Sequence, residues 1–333
     1  MRIVHCSYTP CAGAIEALSS AIRDHTVHDS RWIGNGGNVN NLTFDHDVLW
    51  ADTASHVLLA RADVVILHNY LNDLTEPIHD YFLGDGTKKC IGFFHSHPEG
   101  IRDGARLVEQ DFPHFCVAQY QALFFQKAIP IRNVVRFDRS DWPKRRERND
   151  GKVRIGYSPT FRRSQEGLKP GSSEWYHCKG YDVTMPVLQE MEKRKDVELC
   201  IIEGCAYDYA MQLKADCDIL IDEIVTGSYH RSTLEGLALG IPTIVNVSAD
   251  VWGVLASATG LDADAEFPFV QASPDNLKDV LGWLIGMKKK ERKAIGDRGR
   301  AWMEKHWHPR DIAREFCDLA EAMSPYCMVP EKT

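Results

Sequence analysis

Few residues in this chain have a type and position that suggest chemistry, and most follow short apolar runs. Glu235 stands in the first turn of a helix that opens at Ser232, with Tyr229, His230 and Thr233 around the same turn. A helix start offers free amides, so these neighbours could add side-chain or backbone contacts to a ligand. Arg162 and Arg163 come soon after the first apolar run of the second half, and Lys179-Gly180 follows further on. Taken singly, these are cations on a surface loop. His68 ends the apolar run Ala62–His68, and His95 and His97 end Ile91–His97. A histidine at a strand end is either a satisfied structural residue or a neutral hydrogen-bonding group for a ligand. Gly13 follows the first strand and opens a helix, where the backbone could approach a phosphate or simply make a turn.

Glu235 needs a sheet edge to position it, and residues 216–247 provide one. Ile219–Ile221, bounded by acids, reads as a buried parallel strand. A turn at Gly227–Ser228 follows, then a helix capped by the Ser232 hydroxyl. Gly240 and Pro242 stop that helix, and Thr243–Val247 is the next strand. Glu235 then projects from a helix N-terminus at the carboxyl edge of a sheet, where open α/β sheets bind ligands.

The rest of the chain repeats strand and helix. Arg2–Ser7 is a strand and Ala14–Ile22 an amphipathic helix, followed by a polar loop over 34–46. Ala62–His68, Ile91–His97, Phe115–Ala118 and Ile131–Val135 are further strands. The charged stretch Asp138–Gly151 reads as a connector, so two domains are expected, 1–140 and 153–308, with a linker at 141–152. Its basic run, Lys144, Arg145, Arg146 and Arg148, is either a solvated connector or a grip for an acidic acceptor. The second half restarts with strands Val153–Tyr157 and Val197–Glu203 and a helix at Val183–Lys193. Helices at Ser273–Met287, Lys288–Lys305 and Pro309–Met323 end the chain, and the tail 309–333 is expected to pack back on the first domain. Alternation of this kind points to parallel sheets with crossover helices.

With 333 residues, 44% hydrophobic and 26% charged, the chain suits two globular domains, each with its own core. No apolar run reaches the roughly 20 residues of a membrane span, and the N-terminus lacks a signal-peptide core. A cytoplasmic location is expected, with the ten cysteines reduced. A net charge of −8 disfavours a general polyanion binder. No P-loop, nucleophile elbow or full Gly-x-Gly-x-x-Gly follows a strand, so kinase, serine hydrolase and dinucleotide oxidoreductase lack their signals.

The segment Glu235-Gly-Leu-Ala-Leu-Gly240-Ile-Pro242-Thr-Ile-Val resembles the donor-nucleotide segment of GT-B glycosyltransferases. It is most similar to that of the large retaining family with a Glu-x7-Glu signature. The family's first Glu falls here at Gly227. The resemblance implies two Rossmann-like α/β domains facing a cleft, the N-terminal one on the acceptor side and the C-terminal one holding a UDP- or GDP-linked sugar. Glu235 would hold the ribose, and Arg162 or Arg163 with Lys179 the diphosphate. The family sets its Arg and Lys-Gly only a few residues apart, whereas Ser164–Cys178 intervenes here. Cations stabilise the negative charge that develops on the diphosphate as the sugar leaves; Arg does so bidentately and Lys as a point charge. His95 resembles the family's histidine facing the donor sugar, and Gly13 stands where the family has Gly-Gly.

The implied activity is transfer of a hexose or pentose to an acceptor hydroxyl, with retention and without a metal or other cofactor. The acceptor is open among a glycan, a lipid, a small molecule and a hydroxymethylated DNA base reached through Lys144–Arg148. Two rival readings stand beside it. The chain could bind a nucleotide sugar without turnover. His95-Ser96-His97-Pro98 also resembles the core of a JAMM zinc metalloprotease, with Gly104–Glu109 the nearest stretch for its acidic ligand.

Overall fold

The computed structural model describes residues 1–34, 47–69, 89–101, 113–146, 148, 150–159, 164, 166–262 and 267–323. The chain divides into two compact units, Met1–Val134 with Pro309–Thr333, and Val135–His308. Residues 141–152 fall inside the second unit.

The first unit holds seven strands: β1 (Arg2–Cys6), β2 (Asp29–Gly34), β3 (Val48–Leu49), β4 (Val64–His68), β5 (Lys89–Phe94), β6 (His114–Val117) and β7 (Ile129–Ile131). They form one sheet in the order β3-β2-β1-β4-β5-β6-β7, and every pair is parallel. β4 is buried at all five positions, as its unbroken run VVILH requires of a strand covered on both faces. The helix Ala14–His25 packs against β2 and against the last helix, Pro309–Ala322. That last helix buries Ile312, Ala313, Phe316, Cys317 and Ala320, an i, i+3, i+4 stripe. Val4, Cys6, Val65, Leu67, Phe94 and Phe125 lie in the core.

The second unit holds β8 (Val153–Tyr157), β9 (Val197–Ile201), β10 (Ile219–Ile221), β11 (Thr243–Val245) and β12 (Val270–Gln271). Their order is β12-β11-β10-β8-β9, again all parallel. Ile155, Tyr157, Ile219, Ile221, Ile244 and Leu281 centre its core. In both sheets the strand order reverses direction once, between β1 and β4 and between β8 and β10. Ligands of such sheets bind outside the carboxyl ends at this reversal.

The expected helix at 232–239 forms, but one residue early and without its cap. It spans Arg231–Ala238 with His230 at the N-cap position and no side-chain cap, and the His230 amide donates to Asp222 (2.8 Å). Its end closes as a Schellman turn, Gly240 N to Leu237 O (2.9 Å) and Ile241 N to Gly236 O (3.0 Å). Strands β2, β3 and β12 and the helices Thr53–Arg61, Ser173–Cys178, Tyr207–Ala215 and Ala249–Thr259 were not expected from the periodicity. Among the described residues no helix is long and apolar enough to cross a membrane, and the nine cysteines form no disulfide with one another.

Candidate functional site

Asp222 is the first residue beyond β10, at the β8/β10 reversal, and is fully buried. It gathers the local polar groups. Lys179 Nζ donates to Oδ1 (3.1 Å), while the His230 amide (2.8 Å) and the Thr233 hydroxyl (2.7 Å) donate to Oδ2. Burial alone would raise its pKa, but Lys179, His230 and Thr233 outweigh that and hold the carboxyl well below the usual range. Thr233 is buried in this role. The His230 ring lies 3.4 Å from Asp222 without a hydrogen bond. Burial and Lys179 lower its pKa against the pull of Asp222, so the ring is neutral near pH 7.

Lys179 reaches Asp222 through a left-handed backbone. It has φ 50° and Gly180 has φ 66°, just before the helix Tyr181–Glu192. A Cβ on Gly180 would lie 2.4 Å from Val225 Cγ2, so no side chain fits there. Three donors sit on the ammonium and Asp222 uses one. Arg162 and Arg163 lie outside the described residues.

Glu223 follows Asp222 and shapes the turn that leads to the helix. Its Oε2 accepts from the amides of Val225 (3.1 Å) and Thr226 (2.7 Å), and its Oε1 from Ser228 (3.2 Å). Burial raises its pKa to about 7 despite these bonds. Gly227, where the family's first Glu would stand, has φ 73°, and a Cβ there would meet Ser248 Cβ at 3.2 Å.

Glu235 does not project into the open. Its residue is 3% exposed. Oε2 accepts from Lys214 Nζ (2.5 Å) and Oε1 from the Tyr207 hydroxyl (2.8 Å), with Arg231 Nε 3.2 Å away. Burial would raise its pKa, but Lys214 and Arg231 hold it below the ordinary value. The carboxylate expected to hold a ribose is engaged within the protein: Lys214 and Tyr207 of Tyr207–Ala215, with Arg231, surround it and tie the two helices together. Ser232 serves the same group, its hydroxyl accepting from Lys214 Nζ (2.9 Å). Tyr229 is core, 1% exposed, with its ring edge-on to Trp307.

In the first unit the edge is strained at the β1/β4 reversal. Cys11, Ala12 and Gly13 have φ 45°, 53° and 77°, and Asn69, just past β4, has φ 59°. Left-handed non-glycine residues cost about 1–2 kcal/mol each. Gly13 is buried and its amide donates to Pro10 O (2.8 Å), so it does not offer that amide to a phosphate. His95 is fixed at its backbone by Asn69 Oδ1 on its N–H (2.6 Å) and by Gln121 Nε2 on its carbonyl (2.7 Å). Its Nε2 is 2.8 Å from His68 Nδ1. His97 belongs to a different set: its Nδ1 accepts from the Glu99 amide (3.2 Å) and its ring packs edge-on to Phe124. Residues 104–109 lie outside the described residues.

The basic run is largely engaged within the second unit. Arg145 donates to Gly240 O (2.9 Å), and Arg148 pairs with Glu198 (2.6 Å). Arg146 sits 3.6 Å from Asp216 with 67% of its side chain exposed.

Sequence reasoning passed over Asp222, Glu223, Lys214 and Tyr207. A signal for the first two was present: the acids that bound Ile219–Ile221 stand at a strand end, where a parallel sheet presents its groups.

No family model and no curated protein sequence matches the chain. Solved structures do. Sucrose-phosphate synthase of Thermosynechococcus elongatus has a TM-score of 0.58 at 13% identity, over 96% of this chain and 98% of that one. The catalytic domain of starch synthase IV from Arabidopsis thaliana, bound to ADP and acarbose, has 0.56 at 9%, over 96% and 99%. The S. aureus MnaA–UDP structure has 0.51 at 9%, over 95% and 94%. At these identities the likeness concerns the fold: two Rossmann-like α/β units of the GT-B type.

Proposed function

We propose that the protein is a glycosyltransferase that moves a sugar from a UDP- or GDP-linked donor to an acceptor hydroxyl. The donor diphosphate lies at the carboxyl edge of the second sheet. The observation that carries this reading is Lys179, held on buried Asp222 at the strand reversal and beside the start of Arg231–Ala238. A cation fixed in advance stabilises charge that develops on a leaving diphosphate without reorganising during the reaction. Arg162 or Arg163 adds the bidentate contact, and together these groups fill the part a divalent ion plays elsewhere. The ADP in starch synthase IV and the UDP in MnaA support a nucleotide ligand for this fold.

Ribose recognition is assigned away from Glu235, whose carboxylate is occupied by Lys214 and Tyr207. His230 and Ser232, both partly exposed, are the edge groups nearest the helix start. His95, in the first unit, is assigned to the sugar. The engagement of Arg145 and Arg148 leaves a DNA acceptor with little support, and a small-molecule, lipid or glycan hydroxyl is preferred. Retention is the expected outcome and is read from the anomer of the product.

The test is a panel of nucleotide sugars scored by thermal stabilisation, followed by donor hydrolysis without acceptor. A ligand that binds only the folded chain raises its melting temperature. Stabilisation with slow hydrolysis supports the transferase. Stabilisation without turnover under any acceptor condition points to a binding protein, and no stabilisation by any member overturns the reading.

A further inference from the structure

Three histidines form a row on one face of the first sheet. In the strand register His5 faces Ile66, and His68 stands two residues beyond Ile66. His68 in turn faces Phe93, and His95 stands two residues beyond Phe93. A period of two keeps side chains on one face, so the rings step diagonally from β1 across β4 to the end of β5. They touch in sequence. His5 Nδ1 is 2.9 Å from His68 Nε2, and His68 Nδ1 is 2.8 Å from His95 Nε2. Ring centroids are 5.2 and 5.0 Å apart, with Phe93 stacked on His95 at 4.4 Å.

Each link needs one protonated and one bare nitrogen, and each neutral ring carries one proton. The three rings therefore share one polarity: all carry the proton on Nδ1, or all on Nε2. The inner end decides which. His5 and His68 are fully buried, and His5 Nε2 has no hydrogen-bond partner. With the proton on Nε2 throughout, His5 would bury an orphan N–H, which folded proteins avoid more strictly than a bare acceptor. A modest intrinsic preference of free imidazole for Nε2–H opposes this arrangement and is outweighed.

We propose that His5 and His68 are positioning residues that fix His95 in the Nδ1–H tautomer, making it a neutral hydrogen-bond donor to a ligand oxygen. His95 is partly exposed at the sheet edge, and its Nδ1 is not among the enclosed nitrogens lacking a partner. Its one lone pair on Nε2 is taken by His68. His95 thus cannot accept a proton from an acceptor hydroxyl and does not serve as a general base. That the ligand oxygen belongs to a sugar rests on the proposed function; the tautomer does not, and it is read without substrate.

The full chain labelled with ¹⁵N-histidine and studied by long-range proton–nitrogen correlation at pH 7.5 gives the result directly. Single His→Phe variants assign the three rings. All three are expected to show a protonated Nδ1. His68→Phe should release His95 into a mixture of tautomers or into Nε2–H, whereas His68→Gln should retain Nδ1–H, because its amide donates to one neighbour and accepts from the other. A protonated Nε2 on His95 in the wild type, or a His95 tautomer unchanged in folded His68→Phe, would overturn the proposal. If the tautomer is as stated and no nucleotide sugar binds, the proposed function fails and the positioning role stands.

Discussion

Lys214 Nζ lies 2.5 Å from Glu235 Oε2, both side chains less than a tenth exposed, and this pair joins Tyr207–Ala215 to Arg231–Ala238. The carboxylate that stands out in the sequence is therefore part of the frame that holds the helix start in place. Removing one member of a buried pair leaves the other uncompensated, at about 3–5 kcal/mol.

Lys214→Met and Glu235→Gln should each lower stability by roughly that amount, read as the shift of a urea unfolding curve, and the two losses together should be less than additive. A Glu235→Gln protein with wild-type stability but weakened nucleotide binding would restore the direct ribose contact.

Lys179→Ala should reduce transfer by about 30- to 1,000-fold, roughly the 2–4 kcal/mol of one charge-assisted contact to a leaving group. It should also destabilise the second unit, because Asp222 loses its cation while buried. Lys179→Ala/Asp222→Asn should recover stability but not rate. Recovery of both in steady-state kinetics would show that Lys179 acts only on the fold.

Placing at position 227 the first glutamate of the Glu-x7-Glu signature should not help this chain. Gly227→Glu forces a side chain onto φ 73° with its Cβ 3.2 Å from Ser248 Cβ. A loss of about 1–3 kcal/mol and no gain in turnover are expected. A folded variant with higher kcat would mean that the turn over 223–228 accommodates a side chain at no cost.

Acid should weaken the fold well before ordinary carboxylates titrate. His5 is held down to about 3, mainly by burial with Arg23 and His95 adding to it, and burial with His95 and His5 holds His68 well below the ordinary value. The unfolded chain protonates both below about pH 6.5 and the native chain does not, so their contribution is complete above 6.5 and falls toward pH 3. Glu223, raised to about 7 by burial, acts in the opposite sense between 7 and about 4.5, because the native carboxyl holds its proton first. His95 is held to about 3 by burial as well, so three histidines against one glutamate leave a net loss of about 2.7 kcal/mol per pH unit between roughly 6 and 5. Urea midpoints at pH 7, 6 and 5 check the sign; a midpoint that rises over this range contradicts it.

Much of this architecture was legible because its strands are uniform apolar runs. Val153–Tyr157 and Ile219–Ile221 match what their composition demands of buried parallel strands. β2 was missed because DSRWIG mixes charge with aromatics, and its burial comes from β1 and the helix Ala14–His25 rather than from its own period. At the site the sequence located the turn and helix of 227–240 but not the direction of Glu235, which depends on Lys214 and Tyr207, 21 and 28 residues away. The constraint on Gly227 is equally non-local, since Ser248 occupies the space a side chain would take.

Nucleotide binding at the Lys179–Asp222 edge tests the central claim most directly. Calorimetric titration of the full chain with UDP, GDP and ADP, each as the free diphosphate, separates nucleotide recognition from any acceptor. One diphosphate should bind with one site per chain, and its affinity should fall at least tenfold in Lys179→Met, with folding verified at the same temperature. Equal affinity in the wild type and Lys179→Met, or no binding of any of the three to the folded wild type, would contradict the account.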